Sequence, residues 1–146
     1  MGRAFCSILN RMDSINYLAI LAAAFASMLV GFLWYGPLFG KYWMKLKGYT
    51  PEAMKAMKIT PLTAMSLAGV CALVTAFVLA TFVQFLNPQG VGGAVVLAVL
   101  IWIGFVVATH ANYVLFEERP LKLFLFDIAH LLCAILTATL VITLWP

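Results

Sequence analysis

Four apolar stretches, each long enough to cross a lipid bilayer, constrain this sequence more than any other feature. A helix needs about 20 mostly apolar residues to cross the hydrocarbon core, and runs of that length lie at about 16–39, 62–86, 94–116 and 121–144. Only 10% of the 146 residues are charged, whereas a soluble domain carries about a quarter. The sequence therefore predicts an all-α integral membrane protein, a four-helix bundle with all four spans in one domain.

Two shorter segments lie outside the predicted spans. Residues 1–15 lack the long apolar core and the cleavage site of a signal peptide, so we expect a disordered segment or one that precedes a native start at Met12. The chain between spans one and two carries a helix start signal, a hydroxyl followed by proline and an acid, at Thr50, Pro51 and Glu52. Methionines and lysines then fall on different sides, which predicts a short interfacial helix.

Small residues recur at helical spacing along span two. Such ridges let another helix approach closely. The ridge therefore predicts either docking by another helix of the same chain or an interface between copies in a homo-oligomer. Its members are Ala64, Ala68, Ala72, Ala76 and Ala80.

An aromatic segment ends span one with the residues Trp34, Tyr35, Gly36 and Pro37. Proline removes a backbone donor and clashes with the preceding turn, so the helix is expected to break here. Aromatic rings and the lysines that follow are typical of the membrane interface. The segment is either a simple kink at the surface or an interfacial gate.

Four polar residues of spans three and four are predicted to form an intramembrane cluster. His110 and His130 each lie ten residues from Pro120. Tyr113 and Asp127 each lie seven residues from it. If both arms are helices that rise about 1.5 Å per residue, the members of each pair lie at similar depth. Residues three apart share one helical face, so all four side chains can meet.

Three interpretations of this cluster remain open. The first is a structural network of hydrogen bonds between spans, and the second is a proton or cation relay or a small-solute site, since intramembrane carboxylates commonly mark pathways. Two histidines and one carboxylate also suit zinc or iron, but three ligands on two helices are a weak signal and no metal ligand is assigned. The chain shows no nucleophile beside a base and no phosphate loop. We therefore expect no catalytic residue, no cofactor and no enzyme activity.

Basic residues predict how the chain is oriented. The two loops that follow spans one and three share seven of them, and the opposite side has only Arg3 and Arg11. By the positive-inside rule these two loops lie in the cytoplasm and both termini lie outside. The clustering beside apolar spans accounts for the net charge of +4 without nucleic acid as a partner. The seven residues are Lys41, Lys45, Lys47, Lys55, Lys58, Arg119 and Lys122.

Two blocks of the sequence resemble a known family. The most specific is WYGPLFGK, from Trp34 to Lys41, with Trp43 close behind; the second is ERPLK, from Glu118 to Lys122. They are similar to DUF1761, a family of small bacterial membrane proteins of unknown function, and the resemblance runs from about Asn16 to Trp145. It implies a compact bundle of about four helices in the bacterial cytoplasmic membrane. It implies no established activity, so no site residue is carried over.

Two functions are compatible with these features. Buried histidines and an aspartate favour a small-solute, ion or proton transporter-like protein. Small size and small-residue ridges favour a non-catalytic accessory or assembly subunit packed against a larger membrane complex. The expected partners are membrane lipid and either further copies of the chain or the subunits of such a complex.

Overall fold

The computed structural model describes residues 15–50 and 59–145, apart from the side chain of Pro61. Within this part the chain is helical without strands, and four helices are long and apolar enough to cross a membrane. The predicted all-α, four-span fold is confirmed, and the chain is a multi-pass membrane protein. The spans are Tyr17–Leu38 (span one), Leu62–Leu86 (span two), Gly90–Phe116 (span three) and Leu121–Thr143 (span four).

Two spans contain a short stretch of wider π-helical turn. In span one the α-helix Tyr17–Leu33 is followed by the wide turn Trp34–Leu38. In span three the wide turn Trp102–Val107 separates the α-helices Gly90–Ile101 and Ala108–Phe116. The remaining helices are α-helical throughout: Gly40–Lys47, Pro61–Leu86 and Leu121–Thr143.

Local capping explains where span two begins. The Thr60 side chain accepts a hydrogen bond from the Thr63 N–H at 3.2 Å, and Pro61 occupies the first helical position. Both features satisfy or remove backbone donors that a helix start leaves free. These two residues account for the start of span two at this point of the chain.

Span three begins earlier than the sequence suggests. The turn after span two needs only residues 87–89, because Asn87 adopts a left-handed conformation with φ of 47°. The helix then starts at Gly90 and not near Ala94. A Cβ atom at Gly93 would lie 3.0 Å from the backbone of Pro88, so this glycine lets the new helix pass close to the turn. The glycines therefore form the first turn of the helix rather than a longer loop.

Two predicted segments fall mainly outside the described residues. Residues 1–14 and 51–58 are not described, so the disordered start and the interfacial helix after Thr50 stay predictions. The last residue of the first segment, Ile15, is 7% exposed and belongs to the core. The helix Gly40–Lys47 lies just before the predicted one; we name it the surface helix.

Span four is the centre of the packing. Span one packs along it, span two packs against both of these spans, and span three packs chiefly on span four. We call the end with the chain termini the terminal end and the end with the lysine-rich loop the charged end. Alanines from all four spans meet in the terminal half, each 0–2% exposed: Ala23, Ala76, Ala98 and Ala138.

The alanine ridge of span two is only partly covered by its own chain. Ala76 and Ala80, near the terminal end, are 1% and 4% exposed. Ala72 is half-buried, whereas Ala64 and Ala68 are exposed. One half of the ridge therefore serves packing within the chain, and the described part of the chain leaves the other half uncovered.

Candidate binding site at the charged end

Asp127 of span four is the centre of a polar group near the charged end. It lies six residues after Leu121, about 9 Å along the helix. Its carboxylate forms an ion pair with the Arg119 guanidinium and accepts a hydrogen bond from the Tyr35 hydroxyl at 3.2 Å. The Asp127 and Arg119 side chains are 14% and 23% exposed. An ionised carboxylate within a membrane is usually turned inward and partnered, and both conditions hold here.

The turn between spans three and four brings Arg119 to this carboxylate. The Tyr113 carbonyl accepts hydrogen bonds from the N–H groups of Glu117 and Arg119, both at 3.2 Å. Glu118, between them, adopts a positive φ of 53°. This turn reverses the direction of the chain, and the Arg119 guanidinium lies 5.9 Å from the centre of the Tyr113 ring. At that distance a cation and an aromatic face attract each other.

The break in span one brings Tyr35 to the same place. Gly36 leaves the helical conformation with φ of −101° and ψ of −106°. The Tyr35 ring then packs edge-on against His130, with ring centres 4.8 Å apart. A Cβ atom at Gly31 would lie 3.3 Å from His130 Nε2, so this glycine leaves room for the imidazole between the two spans.

A cavity of about 420 Å³ opens beside this group. Span four forms its floor, the wide turn of span one and the surface helix form one wall, and span three contributes the other. Volumes of this size are typical of sites for small molecules. Its lining residues are Tyr35, Trp43, Lys47, His110, Arg119, Asp127, His130 and Leu131.

The cavity has a positive balance of charge. Its one carboxylate is already paired with Arg119, whereas Lys47 forms no ion pair within the described part of the chain. A cation would have to compete with Arg119 for Asp127. An anion would instead meet the unpaired ammonium group, so the charge distribution favours a negatively charged ligand.

Two further side chains of this region carry buried nitrogens. His130 Nε2 and Trp34 Nε1 have no hydrogen-bond partner among the described residues. The two rings lie 6.0 Å apart. His110, on the wall that span three contributes, is held through Nδ1, which lies 2.9 Å from the Val106 carbonyl oxygen. Val106 belongs to the wide turn of span three, where Trp102 also donates to the Ile128 carbonyl at 2.7 Å.

The structure brings together three of the four residues predicted to cluster. His110, Asp127 and His130 line the cavity. Tyr113 lies beside it, with its ring 5.6 Å from that of His110 and close to Arg119. The hydrogen bonds of Asp127 and His110 run to other residues, namely Tyr35, Arg119 and the Val106 carbonyl.

The four residues of the predicted interfacial gate lie in different environments. Tyr35 faces the cavity, and Trp34 packs against Phe39 and Phe126 with ring centres 4.8 and 5.6 Å apart. Gly36 and Pro37 are exposed. The break in the helix is present, and its use as a gate stays a prediction.

Some lining residues were absent from the site predicted from sequence. Trp43 and Lys47 were assigned only to the membrane interface, although their spacing of four places both on one side of the surface helix. Tyr35 was assigned to a gate and not to Asp127, which is 92 residues away in the chain. The spacing of Trp43 and Lys47 within one helix indicated that they share a side. No local feature of the sequence could indicate the contact between Tyr35 and Asp127.

The arrangement offers hydrogen bonding and charge as its chemistry. Within residues 15–50 and 59–145, no three His, Cys, Asp or Glu side chains are placed to hold one metal ion. His110 lies on the wall that span three contributes and His130 on the floor that span four forms, and the Asp127 carboxylate is occupied by Arg119 and Tyr35. The site is therefore suited to binding a polar ligand.

Comparisons with known proteins agree with the resemblance of the two sequence blocks. No curated protein and no solved structure matches the chain. The family model described as "Protein of unknown function (DUF1761)" matches residues 18–143. That match includes all of spans two, three and four and nearly all of span one. The chain therefore belongs to the DUF1761 family of proteins of unknown function.

Proposed function

We propose that this protein is a small-solute transporter-like protein of the bacterial cytoplasmic membrane, and that the charged-end cavity binds a small anion. The observation that carries the proposal is the charge balance of the cavity. Asp127 is neutralised by Arg119, while Lys47 has no ion pair within the described residues. The proposed role is binding and passage of a solute without chemical conversion.

The distribution of basic residues supports the orientation that we propose. Seven lysines and arginines lie between spans one and two or near the turn between spans three and four, and two precede span one. The positive-inside rule favours the cytoplasm for the side with more of them. The cavity would then receive its solute from the cytoplasm.

A second cavity supports passage across the membrane. It measures about 270 Å³ and lies at the terminal end, where Asn16, Gln84 and Trp145 are among its lining residues. Between the two cavities lie the tightly packed alanines of the four spans. A solute could pass only if these helices move, so the proposal is a carrier and not an open channel.

The first test asks whether the cavity contains water. In a variant with Cys6, Cys71 and Cys133 replaced by alanine, we introduce Leu131→Cys and apply a charged, membrane-impermeant thiol reagent to each side of membrane vesicles. Leu131 lines the cavity, so we expect labelling from the cytoplasmic side. Ala138→Cys is the matched control, because it lies two turns further along the same helical face and is 2% exposed.

The second test measures transport by vesicles reconstituted with the purified protein. The probes are radiolabelled chloride, acetate and inorganic phosphate. We expect uptake of at least one of these anions, and we expect Lys47→Gln to weaken the binding of the transported anion by about tenfold. Lys45→Gln is the control, because Lys45 is exposed on the same helix and does not line the cavity.

The first test can contradict the proposal by itself. If the reagent labels Leu131→Cys from neither side, the cavity contains no water and a dry structural network is favoured.

The accessory or assembly role is the second candidate, and one observation favours it. From Leu62 to Thr75, every described residue of span two except Gly69 and Ala72 is exposed. This stretch includes half of the small-residue ridge, which is suited to helix association. Stable co-purification with foreign subunits in mild detergent, together with no solute uptake by the purified chain, would favour this role over transport.

A further inference from the structure

The charged-end cavity is open on one side. Spans one and three both pack along span four, and the cavity occupies the space between them. Among the described residues, none from span two lines it. The described part of the chain therefore places no fourth span over the cavity between spans one and three.

One wall of the cavity carries residues that are typical of the lipid headgroup level. The surface helix contributes Trp43 and Lys47 to its wall, and Tyr42 on the same helix is 49% exposed. Tryptophan, tyrosine and lysine side chains of this kind concentrate where the hydrocarbon meets the headgroups. The anions that are abundant at this level are phosphates.

The unused donors of the cavity match a phosphate group. The Arg119 guanidinium has five N–H donors, and Asp127 accepts from its Nη2 atom. Lys47 adds an ammonium group and Trp43 an indole N–H on the wall formed by the surface helix. A guanidinium and an ammonium group contributed by different segments are well suited to the several oxygens of a phosphate. A halide ion could use few of these donors at once.

We propose that the cavity is a binding site for a phosphate group, supplied by the headgroup of an anionic phospholipid or by soluble phosphate. This inference rests on the proposed function, because it assumes that the cavity binds an anion. Lys47 and Arg119 bind the phosphate oxygens, and the Asp127 carboxylate, which would repel them, keeps its hydrogen bond from Tyr35 and its ion pair with Arg119.

The test uses protection of Leu131→Cys in the cysteine-free variant. The rate of labelling by N-ethylmaleimide, which is uncharged, is measured in phosphatidylcholine vesicles, with inorganic phosphate or with chloride at equal ionic strength. A separate arm replaces part of the phosphatidylcholine by phosphatidylglycerol. A ligand present at about ten times its Kd should slow the labelling about tenfold. Protection by inorganic phosphate identifies a soluble source, and protection by phosphatidylglycerol alone identifies a lipid source.

Three variants and one independent measurement make the result specific. Lys47→Gln should require about tenfold more ligand for the same protection, whereas Lys45→Gln should leave protection unchanged. Glu117→Cys, which is exposed in the turn and outside the cavity, should react at the same rate in every condition. Native mass spectrometry of the cysteine-containing protein, with and without Lys47→Gln, measures bound phosphatidylglycerol independently of the Leu131 substitution.

The possible failures are distinguishable. If Leu131→Cys is labelled and neither phosphate source slows the labelling relative to chloride, the phosphate proposal is overturned. The anion site then stands if the reconstituted vesicles take up chloride or acetate, and it is overturned together with the phosphate proposal if they take up neither. If Leu131→Cys is never labelled and no phosphatidylglycerol remains bound in the mass spectra, the proposed function fails as well.

Discussion

The two ends of this bundle are built from different side chains and pack differently. In the terminal half, alanines of four spans meet with 0–2% of their surface exposed, and Thr139 is fully buried with its hydroxyl bonded to the Ile135 carbonyl at 2.8 Å. In the charged half, span two contributes no lining residue to the cavity, and bulky aromatic and charged side chains surround an open space. Small residues allow the helices to touch, whereas large polar ones hold them apart.

The polar side chains of the two halves differ in the same way. The terminal half buries a hydroxyl that is satisfied within its own helix. The charged half brings together groups from span one, the surface helix, span three, span four and the turn before span four. A site assembled from five segments depends on their relative positions. We therefore expect the loss of one partner in the charged half to lower stability more than the change of one contact in the alanine core.

The largest expected effect is the removal of the Arg119 charge. Arg119→Ala leaves Asp127, which is 14% exposed, without its cation, and we expect the free energy of unfolding to fall by about 3 kcal/mol. The measurement is reversible unfolding in mixed micelles. A double variant, Arg119→Met with Asp127→Leu, should recover most of the loss because no unpaired charge remains. Equal losses in the single and double variants would show that the fall in the free energy of unfolding does not come from leaving Asp127 unpaired.

The next effect compares the two halves within one ridge. Ala76→Leu places a larger side chain where the native residue is 1% exposed, and we expect a loss of about 2 kcal/mol from overpacking. Ala68→Leu lies two steps along the same ridge on an exposed position and should change stability by less than about 0.5 kcal/mol. The same unfolding measurement applies to both. A large loss at Ala68 would indicate that another chain covers this part of span two.

The smallest expected effect is the loss of one hydrogen bond. Tyr35→Phe keeps the ring and removes the hydroxyl that donates to Asp127, and we expect a loss of about 0.6 to 1.7 kcal/mol. Tyr42→Phe is the control, because Tyr42 is 49% exposed and meets Phe126 through its ring. If the two variants have equal stability, the hydroxyl contributes nothing measurable to the charged half.

Much of the fold could be predicted because its signals are local. The length of each apolar run predicts a span, and Thr60 with Pro61 marks the start of span two. The start of span three was predicted four residues late because glycines are typical of turns, although here Gly93 passes close to Pro88. Capping and apolar length depend on neighbours in sequence, whereas a close approach depends on the path of the folded chain.

The candidate site could be predicted only in part. Spacing on spans three and four placed His110, Asp127 and His130 near one another, because residues at fixed offsets on two connected helices reach similar depths. Tyr113 shares that spacing and yet lies outside the cavity, beside Arg119. The contribution of Tyr35 and Lys47 depends on how span one breaks at Gly36. The spacing of residues does not predict the direction that the chain takes after such a break.

The sequence by itself determined the class of protein, the number of spans, most helix boundaries and the side of the bundle that carries the charge. Those properties follow from how much apolar surface each segment can present to lipid and from which residues can begin a helix. Tertiary structure alone decided which partner Asp127 has, which half of the alanine ridge is covered and where an open space remains. Those outcomes depend on contacts between segments as far as 92 residues apart, and packing selects them only once all the helices are in place.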